Sequence, residues 1–296
     1  MKKILLMIVL FLLLVGTGCV RETHNVSLNT ETEKNTPSIN FTELPYEEDW
    51  LQTKLPKLSN KNISIYKKIN LNIITSDLKP RSVYVLCDYE SYGENSIYHH
   101  SYLAVETNSK VLFKELADNN YCGSYNDVLY ACDIDGDEID EIILQQTVGI
   151  TGGAGHFLSR IFKVVNDEIK EIFNSSTANL YDTGFTSVLK NNFKLQVYNK
   201  FTGYLEIFDF SKKKQYIGIY YNEIGQIIAD EVIWCDSFRE FFPDDIDNDG
   251  IYEMVCVQYV SLCGHSDYVG DAKSVLRMNK NTQKFEVIAA EFIQVK

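Results

Sequence analysis

Apolar residues in this 296-residue chain gather in short runs of four to eight, set apart by clusters of Asn, Asp, Gly, Ser and Lys. Val83–Leu86, Tyr102–Val105, Val111–Phe113, Arg160–Val165, Phe193–Tyr198, Tyr204–Phe208, Tyr216–Tyr221, Ile224–Val232 and Val275–Met278 all have the length of a strand. No window of a dozen residues carries apolar positions at helical spacing, so the pattern predicts an all-β fold with many hairpins. Alternation begins near residue 61, with Ile63, Ile65, Leu71 and Ile73. Residues 20–60 lack it and hold three of the five prolines, which predicts a flexible tether over 19–60 and a folded domain over 61–296.

The strand pattern repeats itself. Asp133 and Asp245 lie 112 residues apart, as do Glu141 and Glu253, while Tyr121-Cys122-Gly123-Ser124 and Trp234-Cys235-Asp236-Ser237 match at 113. Tyr102–Asn108 matches Tyr216–Asn222 at 114. So small a drift predicts a tandem duplication with units of about 81–180 and 193–293, each with seven or eight strands. Two architectures fit: a small or incomplete β-propeller-like array of antiparallel sheets, which leaves only short strand edges, or two packed antiparallel sheets that share the duplication without radial closure.

The most distinctive chemistry is an acidic loop at corresponding places in the two units. It reads D-I-D-G-D-E-I-D-E over Asp133–Glu141 and D-I-D-N-D-G-I-Y-E over Asp245–Glu253, and each copy runs into an apolar strand. Both place carboxylates at positions 1, 3, 5 and 9. Alternate carboxylates on a tight loop converge, and like charges that converge call for a cation. Ca²⁺ takes six to eight oxygens in flexible geometry and suits such a loop better than Mg²⁺. An EF-hand is excluded because position 12 is Leu144 or Cys256 instead of Glu, and because the flanks alternate as strands do.

This loop pattern resembles the FG-GAP and VCBS-type repeats of integrin-like β-propellers and bacterial surface lipoproteins. The resemblance covers about nine residues in each copy. It implies metal ligation by Asp133, Asp135, Asp137, the Ile139 carbonyl and Glu141 in the first loop. In the second it implies Asp245, Asp247, Asp249, the Ile251 carbonyl and Glu253. The glycine usual at position 6 is present as Gly250 but is Glu138 in the first copy, where Gly136 stands at position 4. That departure predicts a weaker or more distorted first site.

At the start of the chain, Lys2 and Lys3 precede an apolar run from Ile4 to Val15. Twelve residues fall short of the roughly 20 needed to span a bilayer and read as a secretory signal over 1–18. Gly16-Thr17-Gly18-Cys19 resembles a bacterial lipobox, which implies cleavage before Cys19 and lipidation of that residue. Gly16 departs from the Leu preferred there, and cleavage by an ordinary signal peptidase is the alternative.

Without that signal the chain keeps 26 of its 28 basic residues against 41 acids, a net charge of −15. Such a surface repels nucleic acid. Six cysteines besides Cys19 permit up to three disulfides or serve as buried core residues. No Walker ending follows the glycine-rich segment 149–155, and no nucleophile elbow or zinc spacing is legible. These observations lead us to expect a lipid-anchored, extracytoplasmic, calcium-binding β protein that is not an enzyme and presents a face to a protein or glycan. An envelope hydrolase with its active site in a propeller-like channel is the alternative, and an assembly lipoprotein without a ligand of its own is a third.

Overall fold

The computed structural model describes residues 53–58, 63–71, 81–92, 95–107, 109–116, 127–149, 156–176, 182–228, 233–262 and 267–294. The signal segment, Cys19, most of the tether, the glycine-rich segment beyond Gly149, Cys122, Cys263 and His265 lie outside them. Four antiparallel sheets make up the fold, each a meander of consecutive strands. The first contains β1 (Ile63–Leu71), β2 (Arg81–Tyr92), β3 (Asn95–Glu106) and β4 (Val111–Leu116). The second contains β5 (Val128–Cys132), β6 (Glu141–Gly149), β7 (His156–Val165) and β8 (Glu168–Asn174). Three strands, β9 (Phe185–Lys190), β10 (Lys194–Asn199) and β11 (Leu205–Asp209), form the third. The fourth contains β12 (Ile233–Asp244), β13 (Glu253–Leu262), β14 (Tyr268–Asn279) and β15 (Lys284–Gln294). The all-β expectation holds.

Local chemistry explains the meander. Asn166 and Asp167 join β7 to β8 as a two-residue hairpin loop with φ of 52° and 62°, the left-handed pair whose twist matches that of its strands. At the β14–β15 turn the Asn279 side chain accepts hydrogen bonds from the N–H groups of Asn281 and Thr282 at 2.9 and 3.1 Å.

Shared cores join the sheets in an order that is not chain order. Val83, Val85, Leu103 and Val105 of the first sheet pack with Leu129, Ile142, Leu144 and Phe162 of the second. The opposite face of the second sheet, with Ile143, Ile161 and Phe173, packs with Phe238, Phe241, Met254 and Leu276 of the fourth. The fourth sheet in turn shares Val260, Leu262, Ala272 and Phe292 with Leu189, Leu195 and Val197 of the third. The core order is therefore first, second, fourth, third. Because the second and fourth sheets are apolar on both faces, Ile142–Leu144 and Met254–Val257 read as unbroken hydrophobic runs.

Four sequence expectations need revision. Tyr216–Tyr221 is not a strand: Lys214–Tyr216 is a 3₁₀ turn, and the Tyr216 carbonyl accepts from Tyr220 N at 2.9 Å and Tyr221 N at 3.1 Å. Tyr216, Tyr220 and Tyr221 are all buried, with Tyr216 Oη donating to Asp267 and Tyr221 Oη to the Lys194 carbonyl, each at 2.9 Å. Burial at such spacing demands a turn, and Gly218 and Gly225, at φ of 84° and 77°, supply it. In Ile224–Val232 the described residues 224–228 form a turn with one isolated bridge, Tyr221 to Ile227. The third sheet thus stops at three strands, and the match of Tyr102–Asn108 to Tyr216–Asn222 joins a strand to a turn. The paired sheets also begin earlier than the predicted repeat units, at β1 and β9. Lastly, folded structure starts before residue 61, since Leu55 and Leu58 are buried against Ile63, Tyr84 and Leu86.

Candidate metal loops

Each acidic loop closes the first hairpin of its sheet, Asp133–Asp140 between β5 and β6 and Asp245–Tyr252 between β12 and β13. The strand pairs bordering them, Cys132 with Glu141 and Asp244 with Glu253, are equivalent. The carboxylate at position 1 organises the turn. Asp133 Oδ1 accepts from the N–H groups of Asp135 at 3.2 Å and Gly136 at 2.6 Å, and its Oδ2 accepts from Glu138 N at 2.8 Å. Asp245 accepts from the N–H groups of Asp249 at 3.0 Å and Gly250 at 3.1 Å. At position 5, Asp137 and Asp249 accept from the N–H of Ile139 and Ile251. At position 9, Glu141 and Glu253 accept from the N–H of Ile134 and Ile246, and both glutamates are at most 1% exposed.

The two loops share a backbone despite their different glycines. Positions 4 and 6 are left-handed in both: Gly136 at φ 75° and Glu138 at 67°, Asn248 at 58° and Gly250 at 86°. Each copy puts glycine at one of the two positions and a side chain at the other. Glu138 is the less suited of those side chains, because Asn tolerates left-handed geometry better than Glu does.

Sequence reasoning missed a basic residue in each loop. Lys163, on β7 beside the Ile142–Phe162 pair, extends its ammonium to Asp135 Oδ2 at 2.6 Å, Asp137 Oδ2 at 2.8 Å and Glu141 Oε1 at 2.9 Å. Asp135 Oδ1 is buried without a hydrogen-bond partner. Arg277, on β14 beside the Met254–Leu276 pair, donates from Nη2 to Asp247 Oδ2 at 2.6 Å and from Nε to Glu253 Oε1 at 2.7 Å. Both basic residues meet the acids at positions 3 and 9 from the third strand of their sheets, and they lie 114 residues apart. The repeated spacing was the available signal: two basic residues 114 apart, each on the second strand after its loop.

Burial sets the electrostatics. It pushes the Glu141 carboxyl up to about 7, against the opposing pull of the Ile134 N–H and Lys163. Burial acts to lower Lys163, but its contacts with Asp135, Asp137 and Glu141 outweigh this and hold the ammonium well above its ordinary range. Burial likewise raises Glu253, opposed by Arg277 and the Ile246 N–H. The core thiols of Cys132 and Cys256 are also pushed up by burial, and they are free.

Ligand atoms of Asp133, Asp135 and Glu141 lie within 4.8 Å of one another, as do those of Asp245, Asp247 and Asp249. These hard carboxylate oxygens suit Ca²⁺, which sits about 2.3–2.6 Å from its donors. In the first loop two of them, Asp135 and Glu141, meet the Lys163 ammonium together with Asp137. In the second, the guanidinium takes only Asp247 and Glu253, leaving Asp245 and Asp249 without an ion pair among the described residues. Second-loop residues therefore fit a divalent ion better than those of the first. The loops also touch: Tyr252 N donates to the Asp133 carbonyl at 2.9 Å.

Comparison with known proteins adds a family likeness. Residues 183–293, from just before β9 into β15, match the family described as the YybI C-terminal domain. That segment holds the second acidic loop and not the first. The chain is also 27% identical over 156 residues to the uncharacterized protein YybI of Bacillus subtilis (strain 168), covering 52% of this chain and 58% of that protein. It thus spans less than two thirds of the relative's length, and no solved structure matches it.

Proposed function

We propose that this chain is an exported, non-catalytic β-repeat module, anchored to the bacterial membrane through lipidated Cys19, which holds Ca²⁺ as a structural ion and presents a rigid face to a protein or glycan outside the cell. The observation that carries this reading is the pair of carboxylate loops, alike in backbone geometry, at the contact between the second and fourth sheets. An ion held there ties a hairpin to its neighbours. The membrane assignment rests on the apolar segment and Gly16-Thr17-Gly18-Cys19. A binding role draws support from the third sheet, where Tyr198, Leu205 and Ile207 are exposed on a strand pair. Of the two architectures, stacked sheets are the better supported, because a ring in chain order would join the second sheet to the third.

The test of the calcium assignment is thermal unfolding of the full chain in detergent, with chelator and then with millimolar Ca²⁺. A higher midpoint in calcium, lost in Asp247→Ala, is expected; a midpoint indifferent to both would remove calcium from the reading. Cys19→Ala should release the protein from the membrane fraction.

A further inference from the structure

We infer that Lys163 is the resident cation of the first acidic loop and keeps a metal ion out of it, so that the two copies of one loop have diverged into a self-neutralised site and an open one. Exclusion follows from geometry. A calcium ion bound by Asp135, Asp137 and Glu141 would stand about 2.3–2.6 Å from their oxygens. The Lys163 nitrogen stands 2.6–2.9 Å from the same three. Ion and ammonium therefore claim one place.

The surroundings favour the ammonium. The Lys163 side chain is 13% exposed and the Asp135 side chain 6%. Asp133 is committed to three backbone N–H groups, so it is spent on shaping the turn. Gly136 is also crowded: a Cβ there would strike Lys280 Nζ and lie 2.8 Å from Ile251 Cδ1. Lysine at this position is thus matched to the loop it enters.

The second loop differs in its cation and in its open turn, although Asp245 also accepts from two backbone N–H groups and Asp137 of the first loop is as exposed as Asp247. Arg277 is 42% exposed and Asp247 43%, and the planar guanidinium joins two acids without reaching Asp249. A Cβ on Gly250 would meet nothing within 4 Å, so that turn faces open space. Any divalent ion therefore belongs to the second loop, a consequence that rests on the function proposed above.

The test is calorimetric titration of the chelator-treated full chain in detergent with Ca²⁺, for the parent, Asp135→Ala, Asp247→Ala and Lys163→Met. One site in the parent, kept in Asp135→Ala and lost in Asp247→Ala, is expected. Lys163→Met should gain a second site and show a thermal midpoint that falls in chelator and recovers in calcium. A parent without sites and a Lys163→Met variant with one would uphold the resident lysine while removing calcium from the second loop. Two sites in the parent, or one lost in Asp135→Ala, would overturn the inference. Should Lys163→Met not fold under either condition, the parent and the two aspartate variants still decide the matter.

Discussion

The two acidic loops share one carboxylate pattern and solve the same electrostatic problem differently. In the first, Asp135 and Glu141 are buried, Ile134 is part of the core between the second and fourth sheets, and the acids close around the ammonium of Lys163. In the second, Asp247 and Asp249 are exposed, Ile246 is half-buried, and Arg277 spans two acids from the side. Like charges brought together need a counter-charge, but its source depends on water. Where solvent is largely excluded, a fixed side chain answers Asp135, Asp137 and Glu141 together; where it is present, screening lowers the need.

The largest expected difference between the loops comes from removing the internal cations. Lys163→Met leaves buried acids facing one another and should cost about 3–5 kcal/mol in calcium-free chemical denaturation. Arg277→Met leaves only Glu253 buried without its cation and should cost about 1–3 kcal/mol in the same assay. Equal losses would erase the distinction between a closed and an open loop.

Calcium should act next. An extracellular site with affinity of order 10⁻⁴–10⁻³ M adds about 0.4–1.4 kcal/mol at millimolar calcium. Asp247→Ala should abolish that gain, and Asp135→Ala should leave it in place while lowering stability at every calcium concentration.

The smallest effects concern the backbone. Glu138→Gly should raise the unfolding free energy by about 1 kcal/mol, since it relieves a left-handed Glu, and Asn248→Gly should change it by a few tenths. A stability loss on Glu138→Gly would mean that the glutamate side chain holds the loop by a contact.

Much of the fold was legible because strand length and hairpin chemistry are local. Val83–Leu86, Tyr102–Val105 and Val275–Met278 are strand segments, as their composition predicts. Tyr216–Tyr221 misled because a run of tyrosines and isoleucines satisfies strand composition equally well, while the spacing of its buried members depends on the nearby Phe210 and on Asp267, 51 residues further along the chain. The loops were found from their carboxylates, but Lys163 and Arg277 were passed over. A basic residue in a strand is ordinary until the register sets it beside a particular Glu.

By itself the sequence determined that the chain is all-β and that eight carboxylates stand at matching positions of two like loops. Those properties follow from periodicity and from residue types at fixed short spacing. Only the tertiary structure decided which sheets share a core and which carboxylates lie in water. It alone brought a lysine in one copy and an arginine in the other against them, because burial and cross-strand register belong to the packed sheets and not to any stretch of chain.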